Sequence, residues 1–128
     1  MLSSRMKQIS LLVLLISCMG IALPLLAAGN VVEVKGHLID IACWKEASGD
    51  TTKMLKEHDK DCLLMDECVK SGYAIVTTEG KVYKLDAASN TKAAAWIKST
   101  DRKADWAVIA QGNATGETLT LSSIALAK

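Results

Sequence analysis

The sequence predicts a small, mainly β domain of the α+β class: a five-stranded barrel with a cysteine-bearing helical insert after strand one and a short helix between strands three and four. Three observations predict it. Val32, Val34 and Leu38 alternate with Glu33, Lys35 and His37, the two-residue period of a half-buried strand. Residues 73–78 and 81–85 have strand character and flank Glu79-Gly80, the signature of a tight hairpin. Between these regions, residues 41–71 lose the alternation, become charged and helix-compatible, and hold three of the four cysteines.

The remaining elements follow in order. Gly36 interrupts the first strand and marks a bulge or a sharp bend. Residues 92–98 carry alanines with Trp96 and Ile97, two turns of helix behind a cap at Asn90 or Thr91. Residues 106–110 form a strand and residues 112–116, Gly-Asn-Ala-Thr-Gly, a turn. Leu119, Leu121, Ile124 and Leu126 line the last strand, and their inward phase slips between Leu121 and Ile124, which indicates another bulge. Five strands with a helix between the third and fourth follow the order of the OB-type Greek-key barrel. An open five-stranded α+β sheet is the alternative. Phenylalanine is absent, so Trp44, Trp96, Trp106, Tyr73 and Tyr83 are the large core candidates.

Residues 1–28 read as a signal peptide. Arg5 and Lys7 precede an uncharged apolar run from Ile9 to Leu26, and Ala27-Ala28-Gly29 supplies small residues for cleavage after Ala28. Two alternatives would leave the domain tethered to a membrane. The apolar run reaches the ~17 residues that begin to span a bilayer, and Leu15-Ile16-Ser17-Cys18 has the form of a lipidation box. The apolar residues after Cys18, together with Pro24, favour cleavage. The expected mature chain, residues 29–128, is a single domain in the periplasm or secreted from the cell. With Arg5 and Lys7 removed, 13 basic side chains face 14 acidic ones. No charge field favours nucleic acid or an anionic membrane.

Gly36-His37-Leu38-Ile39-Asp40-Ile41-Ala42-Cys43, then His58, Cys62, Cys68 and Gly72, then Gly80-Lys81-Val82-Tyr83-Lys84-Leu85, together form a pattern. It resembles a family of small exported bacterial proteins that has no assigned activity. The shared outline is a strand ending in Asp-x-x-Cys, a cysteine-bearing helical segment and a Gly-Lys-Val-Tyr hairpin, over nearly all of the mature chain. The resemblance implies a small β-barrel and no particular reaction.

Loss of the leader removes Cys18 and leaves Cys43, Cys62 and Cys68, an odd count in an exported protein. On a continuous helix over residues 61–70, Cys62 and Cys68 would stand about 9 Å apart along the axis at ~1.5 Å per residue. That exceeds the roughly 7 Å that a disulfide tolerates between Cα atoms. Cys43 is then the partner for one of them, in a bond closing a loop of about 20 residues and contributing ~3 kcal/mol in the chain-entropy account. A metal site is the other reading. His58 and Cys62, four apart, would project from one helical face; with Cys43 and Cys68 they make three thiolates and an imidazole, a set that suits zinc or copper. Asp40, three residues before Cys43, can orient a ligand or complete a site with fewer thiolates.

Other groups point to no chemistry. Met54 and Met65 read as core, His37 as a solvated side chain, and the charged run 56–61 as a wet helix face. There is no Cys-x-x-Cys, no Gly-x-Ser-x-Gly elbow, no phosphate-binding glycine loop and no His-Glu-x-x-His. The expected function is therefore that of a non-enzymatic exported binding module. It holds zinc or copper through Cys43, His58, Cys62 and Cys68, with an unidentified protein as a possible further partner. A disulfide-stapled structural or partner-binding domain without metal is the alternative, and a thiol redox protein the third reading.

Overall fold

The computed structural model describes residues 30–128, so the leader, its cleavage site and the two membrane-tethered alternatives lie outside the described residues. Five strands, β1 (Asn30–Asp40), β2 (Tyr73–Thr77), β3 (Val82–Leu85), β4 (Ala107–Thr115) and β5 (Thr118–Leu126), close in the order β1-β2-β3-β5-β4. All pairs are antiparallel except β3 with β5. This is an OB-like barrel, and its closure excludes the open sheet.

Closure depends on β1, which serves two neighbours in succession. Asn30 to His37 pair with β4, and Gly36 to Asp40 pair with β2. At the overlap Gly36 faces both Thr77 and Val108, and a Cβ there would collide with the carbonyl of Val76. The register runs through Gly36 without a bulge, and glycine is required there because only a hydrogen side chain lets the backbones approach so closely. The expected bulge in the last strand is present. Gln111 pairs with Ser123 but Gly112 with Leu121, which leaves Ser122 as the extra residue.

Two expectations need correcting. Residues 112–116 are not a turn as a whole: β4 runs through Thr115, and Gly112 stays in the ladder where a Cβ would strike the carbonyl of Thr120. Gly116, at φ 60°, makes the reversal. The helix between β3 and β4 is longer than residues 92–98. It is α5 (Ala87–Ser99), capped by Asp86, which accepts a hydrogen bond from the Ser89 amide. Asn90 is used elsewhere, its side chain accepting from the Tyr73 amide and donating to the Leu85 carbonyl.

The insert folds as four short helices, α1 (Ile41–Glu46), α2 (Thr51–Glu57), α3 (Lys60–Leu63) and α4 (Asp66–Ser71). The first three start as α5 does. Asp40, Asp50 and Asp59 each accept the amide of the residue three further on, satisfying an N–H that the helix itself leaves free. The insert covers the barrel in two places. Leu55 packs with Ile39 and Val76 on the outside of β1 and β2, beside Trp44, Met54 and Val82. Leu63 joins the barrel core of Leu38, Tyr73, Ile75, Trp106 and Leu119, and its carbonyl accepts the Tyr73 hydroxyl at 2.7 Å. Of the large core candidates, Trp106 and Tyr73 are fully buried, while Trp44, Trp96 and Tyr83 pack at the margins.

Replacing Gly36 with alanine would force β1 away from β2 at this crossing. The expected cost is ~1–3 kcal/mol, the range for overpacking a filled interior, and chemical denaturation of the variant checks it. An unchanged midpoint would show that the close approach does not constrain the barrel.

Candidate metal centre

The centre begins at the last residue of β1. Asp40 must leave the sheet and start α1, and its carboxylate performs the cap: Oδ2 accepts the Cys43 amide at 2.8 Å. Capping places Cys43 in the first turn of α1, beside the same carboxylate. The second oxygen, Oδ1, lies 2.8 Å from Nε2 of His58. His58 ends α2, and its amide is held by the Met54 carbonyl. Asp40 is wholly buried and the His58 side chain is 7% exposed, so neither depends on solvent.

Burial by itself raises the pKa of a carboxyl group. In Asp40 this is more than offset by hydrogen bonds from His58 and Cys43, with a further contribution from the Cys68 thiol, and the group is held at about 2. As a carboxylate Asp40 can only accept, so Nε2 of His58 donates. The thiols shift the other way. Burial and the neighbouring Asp40 charge push Cys43 up to about 12, and the same two causes raise Cys68. Cys62 is raised by burial and by Asp59. Tyr73 rises to about 12 through burial, then the charges of Asp40 and Cys68. Burial first, and the Asp40 carboxylate second, thus favour the protonated thiols.

One ligand atom each from Asp40, Cys43 and His58 lies within 4.8 Å of both others, a spacing that admits a single metal ion. Cys68, buried on α4, adjoins Asp40 and Cys43 but falls outside that mutual set. Cys62 also lies outside it. His58 and Cys62 do not share a helical face, because the chain is extended at His58 and Asp59 and a new helix starts there. Nor is there one helix over residues 61–70, since the backbone is extended again at Met65. Cys62 instead has its amide held by Asp59 and lines an open depression of about 440 Å³ with Met54, His58 and Asp59. All three thiols are free. His37 is not simply solvated: its Nε2 lies 2.9 Å from Asp105 Oδ1, and its side chain is 21% exposed. Asp40, expected to orient a ligand or to complete a site with fewer thiolates, belongs to the cluster itself, and its carboxylate also caps α1.

The depressed Asp40 pKa fixes the sign of an acid dependence. A carboxyl group at 3.8 in the unfolded chain and about 2 in the folded one stabilises the fold above pH 3.8, and this contribution disappears as pH falls through 2. At ~1.4 kcal/mol per unit this amounts to about 2 kcal/mol. Denaturation of the metal-free protein at descending pH should show it, and Asp40→Asn should lack that component; equal acid sensitivity in both proteins contradicts the assignment.

Comparison with known proteins returns no match: no family matches the chain, and neither a curated protein nor a solved structure matches it.

Proposed function

We propose that this protein is an exported, non-enzymatic metal-binding module whose ion sits among Asp40, Cys43 and His58. The observation that carries the reading is the mutual approach, within 4.8 Å, of three donors of three chemical kinds at a largely buried position. The apolar leader with its basic start and small-residue end supports placing the site outside the cytoplasm. Cys68 is the nearest candidate for a fourth ligand, which would close the site in the manner of structural zinc centres. Cys62 then acts outside the ligand set.

The donor chemistry favours zinc over copper. Copper(I) prefers thiolate and thioether sulfur, whereas zinc accepts carboxylate oxygen, imidazole nitrogen and thiolate together. Binding exchanges protons for the ion. The Cys43 thiol must ionise and release its proton, whereas His58 ligating through Nε2 would move its ring proton to Nδ1 and release none. A cation also reverses the local electrostatics, because the carboxylate that holds the thiols protonated becomes neutralised.

A second reading has its own support. Cys43 and Cys68 adjoin one another, so a disulfide between them would staple α1 to α4 without any metal.

Protein purified after export without added metal should contain about one zinc per chain by elemental analysis. Cys43→Ser and His58→Ala should abolish binding, whereas Cys62→Ser should retain it. Metal-free protein that takes up no zinc when reduced, or loss of binding in Cys62→Ser alone, would refute the assignment. Zinc affinity should also rise about tenfold per pH unit near neutrality if one thiol proton is released, and about 100-fold if Cys68 ionises as well. Competition titrations at several pH values distinguish these slopes, and a flat profile excludes thiolate ligation.

A further inference from the structure

Helices α1 and α4 are pinned side by side at their thiol-bearing turns. The Ile41 amide donates to the Gly72 carbonyl at 2.9 Å, and the Ala42 amide to Ser71 Oγ at 3.1 Å. Ser71 Oγ in turn donates to the Cys68 carbonyl at 2.8 Å. The two residues before Cys43 are thereby tied to Ser71 and Gly72, three and four positions beyond Cys68. Both thiols adjoin the Asp40 carboxylate and each other, while Cys62 belongs to α3 and has Asp59 as its neighbour. The two sulfurs also differ in access: Cys43 is half-buried and Cys68 buried.

Building on the metal reading above, we propose that Cys43 and Cys68 form a reversible disulfide that closes the metal site, so that metal binding is controlled by thiol oxidation. Cys43 supplies a sulfur to either state but not to both, because a sulfur bonded to another sulfur is no longer an anionic ligand. The oxidant is a disulfide, R–S–S–R. The accessible Cys43 sulfur, as thiolate, attacks one sulfur of the oxidant and expels RS⁻, leaving a mixed disulfide. The Cys68 thiolate then attacks the Cys43 sulfur and expels the second RS⁻. The S–S bond of the oxidant is broken and the Cys43–Cys68 bond formed. The protein gives up two electrons and two protons, and the oxidant becomes two RSH.

Bound zinc opposes oxidation by occupying the thiolate. The switch is therefore set by the balance of metal against oxidant.

Reduced, metal-free protein treated with oxidised glutathione, alkylated and digested should yield a Cys43–Cys68 crosslinked peptide with Cys62 alkylated. Zinc uptake should fall by at least about 100-fold, the upper end for disturbing only an outer-shell partner, and return after dithiothreitol. Cys62→Ser should behave the same. The switch is overturned by a crosslink through Cys62, by the absence of a crosslink, or by oxidised protein that binds zinc as well as reduced protein. Zinc binding without a crosslink leaves the metal reading standing, whereas a crosslink in a protein that never binds zinc when reduced removes both.

Discussion

The buried carboxylate of Asp40 is the interaction on which the insert and its chemistry depend. One oxygen starts α1 and the other holds His58 at the end of α2, so a single side chain fixes two segments 18 residues apart. A charge buried this deeply is tolerated only when its lone pairs are satisfied, and removing a partner is far more costly than never burying the charge. Together with burial, the same group favours Cys43 and Cys68 as thiols. Structural need and chemical potential are thus concentrated in one residue.

The barrel makes this arrangement possible by presenting Asp40 at a defined place. At Gly36 and His37 β1 passes from β4 to β2, which carries Ile39 and Asp40 under the insert. Ile39 and Val76 point out of the barrel, yet both are buried because Leu55 of α2 covers them. That contact seats α2, and α2 ends at His58. Hydrophobic burial therefore determines where the imidazole lies, and the hydrogen bond to Asp40 determines its orientation. Tyr73 performs a similar service at the barrel end, spanning from the core to the Leu63 carbonyl of α3.

The loop following α5 is also tied to the insert. Lys60 donates through Nζ to the carbonyls of Lys98 and Thr100, complementing the negative end of α5, and its amide donates to the Lys103 carbonyl. Asp105, held at φ 56°, faces His37 on β1. The Lys60 contacts brace α3, and with it Cys62. A small domain with few aromatic side chains thereby obtains rigidity from capping and polar stitching as well as from its core.

Local signals were legible in the sequence because each is settled by residues a few positions apart. The two-residue period of β1, the hairpin around Glu79-Gly80 (its loop being Thr78 to Gly80), the phase slip at Ser122 and the strand order that implies a barrel appear in the structure. The start of α5 was misplaced because Asn90 and Asp86 are both good caps, and only the fold assigns Asn90 to Tyr73 and Gly72. The helix breaks at His58 and Met65 were hidden by side chains compatible with helix, and those breaks decide which cysteines can meet. Local patterns in the chain specify the strands, the hairpin and the identity of the sulfur and imidazole donors. Tertiary structure alone decided that Asp40 joins Cys43 and His58 while Cys62 stands apart, because that grouping depends on Leu55 seating α2 against β1 and β2, a contact no local pattern encodes.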